Sequence, residues 1–306
     1  MLSTTPFEFP PYLLEKAKAL KPALMAVAGA DHPVALESAK LATEAGFIEP
    51  VLVGDPDRIR KIARDIQWNV APFRTVSAAD EKKAAEAAVA LAAGDEVQAL
   101  MKGHVHTDAL MRAVIAKEGG LRTDRRTSHV FHMTVPGNPR VLMITDGAVN
   151  VNPSVPAKID ILKNAIDLAK ALGNPRPHVA VLSGAEVVNP SMPSSVDAAE
   201  VVKLAANAGL DGAVVDGPLG FDNAISPEAA RLKGIDSPVA GRADILLVPN
   251  LEAGNFLFKQ MVYFMSATAA GIVMGAKVPI VLTSRADPPE ARSAAAAIAA
   301  IVAAGK

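Results

Sequence analysis

The sequence predicts an α/β protein in which largely parallel strands are covered by helices on both faces. Short apolar runs rich in β-branched residues alternate with longer Ala-rich runs of helical period along most of the chain. The short runs are almost continuously apolar, as in strands buried on both faces. Half of the 306 residues are apolar, which is enough for a large core and for two lobes.

The N-terminal third predicts a regular βαβα succession. Buried strands are predicted over residues 24–28, 50–53 and 97–101. Helices are predicted over 33–45, 57–66, 79–93 and 107–116. Alternating strands and helices of these lengths favour a three-layer αβα arrangement with a parallel sheet.

The pattern changes near residue 128. Two strand-like runs, 128–134 and 140–145, are joined by Val-Pro-Gly-Asn-Pro, a turn composition, and therefore predict an antiparallel hairpin. Further on, helices are predicted over 157–172, 196–208, 255–274 and 288–304. Strands are predicted over 178–182, 212–215, 245–248 and 277–282.

The domain organisation follows from these units. The last strand and helix resemble the N-terminal units more than the middle ones. We therefore expect a discontinuous first domain of residues 1–124 plus 271–306 around a second domain of residues 125–270.

Composition excludes several classes of protein. The net charge is −1, with 31 basic and 32 acidic residues, and aromatic residues make up 4%, so neither a basic nor a base-stacking surface for nucleic acid is expected. Because the chain has no cysteine, disulfides, Cys-based metal sites and an acyl-cysteine intermediate are excluded. The N-terminus lacks a signal-peptide pattern and no apolar run reaches membrane-spanning length, so we expect a cytoplasmic enzyme that binds no membrane.

The strand end at residues 279–287 is the strongest candidate site. A buried strand delivers the hydroxyls of Thr283 and Ser284, the guanidinium of Arg285 and the carboxylate of Asp287 to one edge of the sheet. A helix then begins, and its N-terminus favours an anion, while arginine matches phosphate oxygens. The alternative is that Ser284 or Asp287 caps the helix and Arg285 is a surface charge.

Residues 102–112 have the same form, with a strand, a glycine, a hydroxyl and a helix. Thr107 begins the helix and Arg112 lies about one turn further on, so both are candidates to bind an anion. His104 and His106 alternate, so they would point to opposite faces, which argues against a two-His metal site.

Two further segments end strands with polar residues. Asn250, Glu252 and Asn255 open a helix after Pro249, and Asp216 precedes Gly-Pro. They are candidates to orient a ligand, or else they are caps and turn formers.

Together these segments resemble the phosphate acetyl/butyryltransferase family, most closely its butyryltransferase branch. The resemblance is carried by the runs 102–107, 237–241, 249–255 and 283–287, with Arg112 and with the Asp-Gly-Pro beginning at Asp216. It covers most of the chain and keeps the order of the motifs.

The resemblance implies the two-lobed architecture of the isocitrate and isopropylmalate dehydrogenases, with an active-site cleft between the lobes, and a homodimer. It implies reversible transfer of an acetyl or butyryl group between coenzyme A and inorganic phosphate, by direct attack in a ternary complex. Acyl-CoA, coenzyme A, phosphate and acyl phosphate are then the partners, and no metal or other cofactor is expected.

The resemblance also implies residue roles. Ser284 and Arg285 would bind the phosphoryl group with help from Thr107 and Arg112. Family acetyltransferases carry a carboxylate shortly after the Ser-Arg pair as the base for the thiol. Here Ala291 stands at that position, so we expect Asp287 to be the base, with Glu290 as the other nearby acid. The alternative is that no base is needed, because the arginines would favour a thiolate.

Two other functions remain open. A metal- and nicotinamide-dependent dehydrogenase of the related architecture would need metal ligands, for which Asp216, Asp222, His104 and His106 are the candidates. A non-catalytic module that binds acyl phosphate or coenzyme A is the other. The acyl pocket would draw on aromatic and methionine side chains of the long helix: Phe256, Phe258, Met261 and Met265.

Overall fold

The computed structural model describes residues 1–210, 212–284 and 286–305. The strands are β1 (Ala23–Ala28), β2 (Ile48–Gly54), β3 (Thr75–Ser77), β4 (Ala99–Lys102), β5 (Ser128–Val135), β6 (Asn138–Thr145), β7 (His178–Leu182), β8 (Val214–Leu219), β9 (Ile245–Leu247), β10 (Thr268–Met274) and β11 (Ile280–Val281). The helices are α1 (Pro11–Lys18), α2 (Pro33–Glu44), α3 (Pro56–Asp65), α4 (Glu81–Ala93), α5 (Thr107–Val114), α6 (Val155–Ala171), α7 (Pro193–Ala205), α8 (Phe221–Ile225), α9 (Pro227–Leu232), α10 (Leu251–Met265) and α11 (Pro289–Ala304).

The chain forms two compact units. We call Glu8–Arg125 with Ala270–Lys306 the terminal unit, and Met1–Phe7 with Arg126–Ala269 the middle unit. The predicted α/β class with largely parallel strands is confirmed in both.

The terminal unit has the strand order β3-β2-β1-β4-β11-β10. All neighbouring strands are parallel except β10, which runs antiparallel to β11. From β1 the chain passes through α2 to β2 and then to β3, and it returns through α4 to β4 on the other side of β1. The strand order therefore reverses between β1 and β4, which is where open α/β sheets bind ligands at the carboxyl ends of their strands.

Local sequence explains where several helices begin. Asp55, Asp80 and Asn250 each precede a helix, and their side chains accept hydrogen bonds from backbone N–H groups of its first turn. Proline occupies an early position of α2, α3 and α11, where its missing N–H has no cost.

The middle unit has the order β5-β6-β9-β7-β8. The predicted antiparallel hairpin is confirmed as β5 and β6, and the remaining pairs are parallel. Phe131 of β5 stacks on Phe258 of α10 with ring centroids 3.8 Å apart, within a buried apolar cluster.

The prediction of one helix over residues 255–274 is wrong. The helix α10 ends at Met265, Ser266 adopts a left-handed conformation (φ 50°), and Thr268–Met274 forms the fully buried strand β10. A continuous apolar run has no polar residues to reveal its period, so a buried strand there cannot be told from a helix by pattern alone. Among the described residues, no helix combines the length and apolar character needed to cross a membrane.

Candidate active site

A small cavity lies at the carboxyl ends of β4 and β11 in the terminal unit, beside the first turns of α2. Its volume is about 40 Å³, roughly three times the 10–15 Å³ that one water requires. Its polar lining comprises His32, Ser38, Lys102, His104, Thr283, Ser284 and Arg292. This is the position that the reversal of strand order predicts for a ligand site.

Gly103 allows the strand ends to approach this closely. Its N–H donates to the carbonyl of Ala28 at 2.9 Å. A Cβ added at Gly103 would lie 2.6 Å from that carbonyl oxygen and 2.8 Å from the carbonyl oxygen of Gly29. Since both neighbours are backbone atoms, any larger residue would push the ends of β1 and β4 apart.

After β11, hydrogen bonds join Ser284 to Asp287 and to Ala286. The Ser284 N–H donates to Asp287 Oδ2 at 2.6 Å, and the Asp287 N–H donates to the Ser284 carbonyl at 3.2 Å. The Ser284 hydroxyl accepts from Ala286 N–H at 3.3 Å. Ser284 is exposed and Thr283 is buried, and both line the cavity. Arg285, the predicted phosphate ligand, lies outside the described residues.

The cavity is lined by cationic groups. Lys102, the last residue of β4, is 9% exposed, and its ammonium is 3.5 Å from the Val105 carbonyl. Arg292 of α11 donates from Nη1 to the Asp287 carbonyl. The rings of His32 and His104 stack at 3.9 Å with 9° between their planes. No acidic side chain occurs among the described residues that line it, so this charge favours an anion.

The candidates on α5 are placed differently. Thr107 is the half-buried first residue of this helix. Arg112 has an 81% exposed side chain that pairs with Asp108 at 3.3 Å. Arg112 lines a second and larger cavity of about 560 Å³, together with residues of α4. The structure therefore does not bring Arg112 into the small cavity that Ser284 and Thr283 line.

The two histidines of the 102–112 segment have different environments. His104 packs against His32, whereas the side chain of His106 is 68% exposed and its backbone N–H donates to Glu81. Among the residues that the structure describes, no group of three or more His, Asp or Glu side chains has an arrangement suited to a metal ion.

The other candidates belong to the middle unit. Asn250 caps α10 through Ala253 N–H at 2.9 Å, and Glu252 is exposed on its first turn. Asn255 donates from Nδ2 to the Gly147 carbonyl at 3.3 Å. Asp216, in β8, accepts from Gly217 N–H at 2.9 Å. Asn250, Asn255 and Asp216 therefore each have a local structural partner.

A buried carboxylate that the sequence motifs did not indicate lies near Asn255. Asp146, at the carboxyl end of β6, is 2% exposed, and its two oxygens accept five hydrogen bonds. The donors are the backbone N–H groups of His129, Ala148, Val149 and Asn150 and the side-chain amide of Asn150. Its only sequence signal was an Asp-Gly pair after a strand, which is also a common turn signal.

The residues expected to line the acyl pocket differ widely in exposure. Phe258 is 7% exposed in the core of the middle unit, whereas Phe256 is 69% and Met265 47% exposed. Met261 is partly buried against the same core as Phe258. The spacing of these residues on α10 distributes them around the helix, so they lie in different environments, and their role in an acyl pocket stays a prediction.

Comparison with known proteins identifies the family. Residues 74–300 match the family described as "Phosphate acetyl/butaryl transferase". The chain is 48% identical to a phosphate acetyltransferase of Rhizobium meliloti, covering 95% of this chain and 92% of that one. It is 42% identical to a phosphate butyryltransferase of Clostridium beijerinckii, covering 95% and 97% respectively.

Solved structures agree with this assignment. The crystal structure of a branched-chain phosphotransacylase from Enterococcus faecalis V583 matches with a TM-score of 0.80 and 33% identity, covering 92% of this chain and 99% of that one. On the match to the family over residues 74–300 and on these identities, the chain belongs to the phosphate acetyl/butyryltransferase family of acyltransferases.

Proposed function

We propose that this protein transfers a short acyl group between coenzyme A and inorganic phosphate, so that acyl-CoA and phosphate yield acyl phosphate and coenzyme A. The observation that carries the proposal is the small cationic cavity at the point where strand order reverses, lined by Ser284 and Thr283 of a family motif. Its size suits a phosphoryl group, and its charge suits an anion.

The proposed reaction is a direct displacement within a ternary complex. In the direction of thioester synthesis, the thiolate of coenzyme A attacks the carbonyl carbon of the acyl phosphate. A C–S bond forms, the C–O bond to phosphate breaks, and phosphate leaves with the electron pair. No oxidation state changes, so the chemistry requires no redox cofactor, and coenzyme A enters as a substrate.

Ser284 and Arg285 have the proposed role of binding the transferred phosphoryl group, with Thr283 beside them. Ser284 or a neighbouring backbone N–H would stabilise the oxyanion that forms during attack. Asp287 is the proposed base for the thiol; its carboxylate already accepts a hydrogen bond from Ser284 N–H, which ties the base to the phosphate-binding turn. The absence of cysteine agrees with transfer that bypasses an acyl-cysteine.

The remaining predicted residues are proposed to bind substrate. Thr107 and Arg112 lie on α5 of the terminal unit, where Arg112 lines the cavity of about 560 Å³. That volume is within the usual range for organic ligands, about 300–1,000 Å³. From the middle unit, the proposed substrate contacts are Asn250, Glu252, Asn255 and Asp216.

The test measures release of free thiol from acetyl-CoA and butyryl-CoA, with and without inorganic phosphate. Wild-type protein is compared with Arg285→Ala and with Arg64→Ala, which removes an exposed arginine from α3. We expect phosphate-dependent release that falls at least 100-fold in Arg285→Ala, as expected for loss of a charged group at the reacting centre (about 3 kcal/mol or more), and that stays unchanged in Arg64→Ala.

The outcomes separate the alternatives. If folded wild-type protein released no phosphate-dependent thiol from either thioester, transfer of these acyl groups would be wrong, and binding without turnover would support a non-catalytic module. The ratio of the two rates gives the acyl preference, for which one methylene is worth about 1–3 kcal/mol.

A homodimer in the cytoplasm completes the proposal. Four large side chains of α10 are well exposed: Phe256 (69%), Tyr263 (47%), Phe264 (59%) and Met265 (47%). Exposed apolar groups clustered on one helix are typical of a protein interface. Light scattering should give twice the chain mass for wild-type protein and a smaller mass for Phe264→Asp; a monomeric wild type would contradict the homodimer.

A further inference from the structure

We propose that Asn255 binds the pantetheine arm of coenzyme A by accepting a hydrogen bond from one of its amide N–H groups, and that Asp146 positions Asn255 for this contact. The inference rests on the proposed function, which makes Asn255 a substrate contact but does not say which part of which substrate it binds. It gives Asp146 a role that the proposed function does not.

Asn255 presents an acceptor to a ligand, because its donor is already used. Its Nδ2 donates to the Gly147 carbonyl at 3.3 Å. A carbonyl oxygen can only accept, so the amide must turn its NH₂ group towards Gly147 and its Oδ1 away from it. Within the part of the chain that the structure describes, Oδ1 has no hydrogen-bond partner. This half-buried side chain therefore offers one oriented acceptor.

Asp146 fixes the direction of the Gly147 carbonyl. Its Oδ1 accepts from the N–H of Ala148 at 2.9 Å. That N–H and the Gly147 carbonyl belong to the same trans peptide, in which the two groups point in opposite directions. Because the N–H points to Asp146, which is 2% exposed, the carbonyl points away from it and can orient Asn255.

Close packing joins this loop to the start of α10. A Cβ added at Gly254 would lie 2.9 Å from the Cα of Gly147, so the two backbones are in direct contact. The Leu251 N–H also donates to the Val151 carbonyl at 3.0 Å. The position of the loop is therefore transmitted to the helix that carries Asn255.

The charge of this region favours a neutral donor over a phosphate. Glu252, on the first turn of α10, is exposed and acidic, and the helix has no lysine or arginine before Lys259. A carboxylate repels phosphate and accepts N–H groups. Coenzyme A carries its phosphates on the nucleotide end, whereas its pantetheine arm is uncharged and has amide N–H groups. The arm is thus the part of the substrate that matches Asn255.

A series of thioesters tests this contact. The same acyl group is carried by coenzyme A, by pantetheine, by N-acetylcysteamine, which keeps one amide, and by ethanethiol, which has none. Asn255→Ala should lower kcat/KM about 3- to 10-fold for coenzyme A and pantetheine thioesters, as for loss of one neutral hydrogen bond. With the ethanethiol thioester this effect should disappear, and the KM for phosphate should change less than about twofold. The N-acetylcysteamine thioester shows which amide is bound.

Two further variants separate positioning from a general loss of structure. Gln260→Ala removes an exposed amide from the same helix and should match wild type. Asp146→Asn should lower kcat/KM for the amide-bearing thioesters and add little when combined with Asn255→Ala, because both changes remove the same contact. A purely structural role of Asp146 would instead lower activity equally with every thioester.

A binding measurement separates this inference from the proposed function. In calorimetric titrations, coenzyme A and pantetheine should bind Asn255→Ala about 3- to 10-fold more weakly than wild type or Gln260→Ala. Equal affinities, or an effect of Asn255→Ala that persists with the ethanethiol thioester, would overturn the inference. If the affinities differ as expected but no phosphate-dependent thiol release occurs, the contact stands and the proposed transferase activity falls.

Discussion

Replacement of Asp146 by asparagine should destabilise the protein by about 2–4 kcal/mol, because no orientation of an amide can satisfy the five donors around this side chain. Oδ1 accepts from Ala148 and Val149, each at 2.9 Å. Oδ2 accepts the other three hydrogen bonds, at 2.7–3.2 Å. The better orientation of an asparagine places its oxygen at the three-donor position and its NH₂ group against Ala148 and Val149.

The size of the destabilisation follows from the two N–H groups, of Ala148 and Val149, that would lose their acceptor. A buried N–H without an acceptor costs about 1–3 kcal/mol, and since both amides are half-buried the lower part of that range applies. The three remaining hydrogen bonds also lose their negatively charged acceptor. Asp55→Asn is the matched control, because Asp55 caps α3 in a half-exposed position where asparagine is an equally good cap.

The assay combines urea unfolding, followed by circular dichroism, with hydrogen exchange of the segment 146–150. We expect a lower unfolding midpoint and faster exchange of this segment in Asp146→Asn, and no change in Asp55→Asn. A loss of stability below about 1 kcal/mol with wild-type exchange would refute the reasoning, since the five hydrogen bonds would then contribute little to holding the loop.

Three other predictions concern packing, protonation and a partly buried ion pair. Gly103→Ala should destabilise the protein by about 1–3 kcal/mol and abolish its stabilisation by phosphate, because the new Cβ would lie 2.6 Å from a backbone oxygen. Gly94→Ala should have neither effect, since Gly94 has φ −83° and a Cβ there would meet no neighbour closer than 3.4 Å. Equal melting temperatures of the two variants would contradict this prediction. Burial lowers the pKa of His132 to about 4. Below about pH 6.5 the histidine therefore binds a proton in the unfolded chain but not in the folded protein, and the free energy of unfolding falls as the pH drops from 6.5 to 4. His132→Leu should reduce this slope, measured by urea unfolding, by up to about 1.4 kcal/mol per pH unit, and an unchanged slope would exclude His132 as its source. Asp197→Ala should destabilise the protein more than Lys158→Met does. Without Asp197, the Lys158 side chain, which is 4% exposed, would keep an uncompensated charge, whereas Asp197 is 41% exposed and remains hydrated without Lys158. Thermal melts that show the reverse order of stability would contradict this prediction.

Local patterns were sufficient for most of the elements. The alternation of buried strands and Ala-rich helices predicted the α/β class, and the Val-Pro-Gly-Asn-Pro segment predicted the hairpin of β5 and β6. Pattern failed at α10, where the helix ends at Met265 and the apolar run continues as β10. The left-handed Ser266 that separates them donates its hydroxyl to the Thr5 carbonyl at 2.6 Å, a partner 261 positions away in sequence.

Local sequence likewise predicted part of the candidate site and missed the rest. Sequence motifs indicated Ser284, Thr283 and the Lys102–Arg112 segment, because polar residues after buried strands stand out against apolar runs. They gave no sign that Arg292 joins Lys102 at one cavity, or that Arg112 lines another. On a helix, a few residues' difference in position decides which cavity a side chain reaches, and that depends on how the helix packs.

By itself, the sequence determined the fold class, the positions of the strand ends that carry polar residues, the exclusion of cysteine chemistry, and the family resemblance that the comparisons confirmed. Only the tertiary structure decided that β4 lies between β1 and β11, which brings Lys102, Thr283 and Ser284 to one cavity. It also decided that Asp146 is buried among five donors. The physical reason is that periodicity and turn chemistry act over a few residues, whereas strand order and burial depend on pairings between segments far apart in the chain.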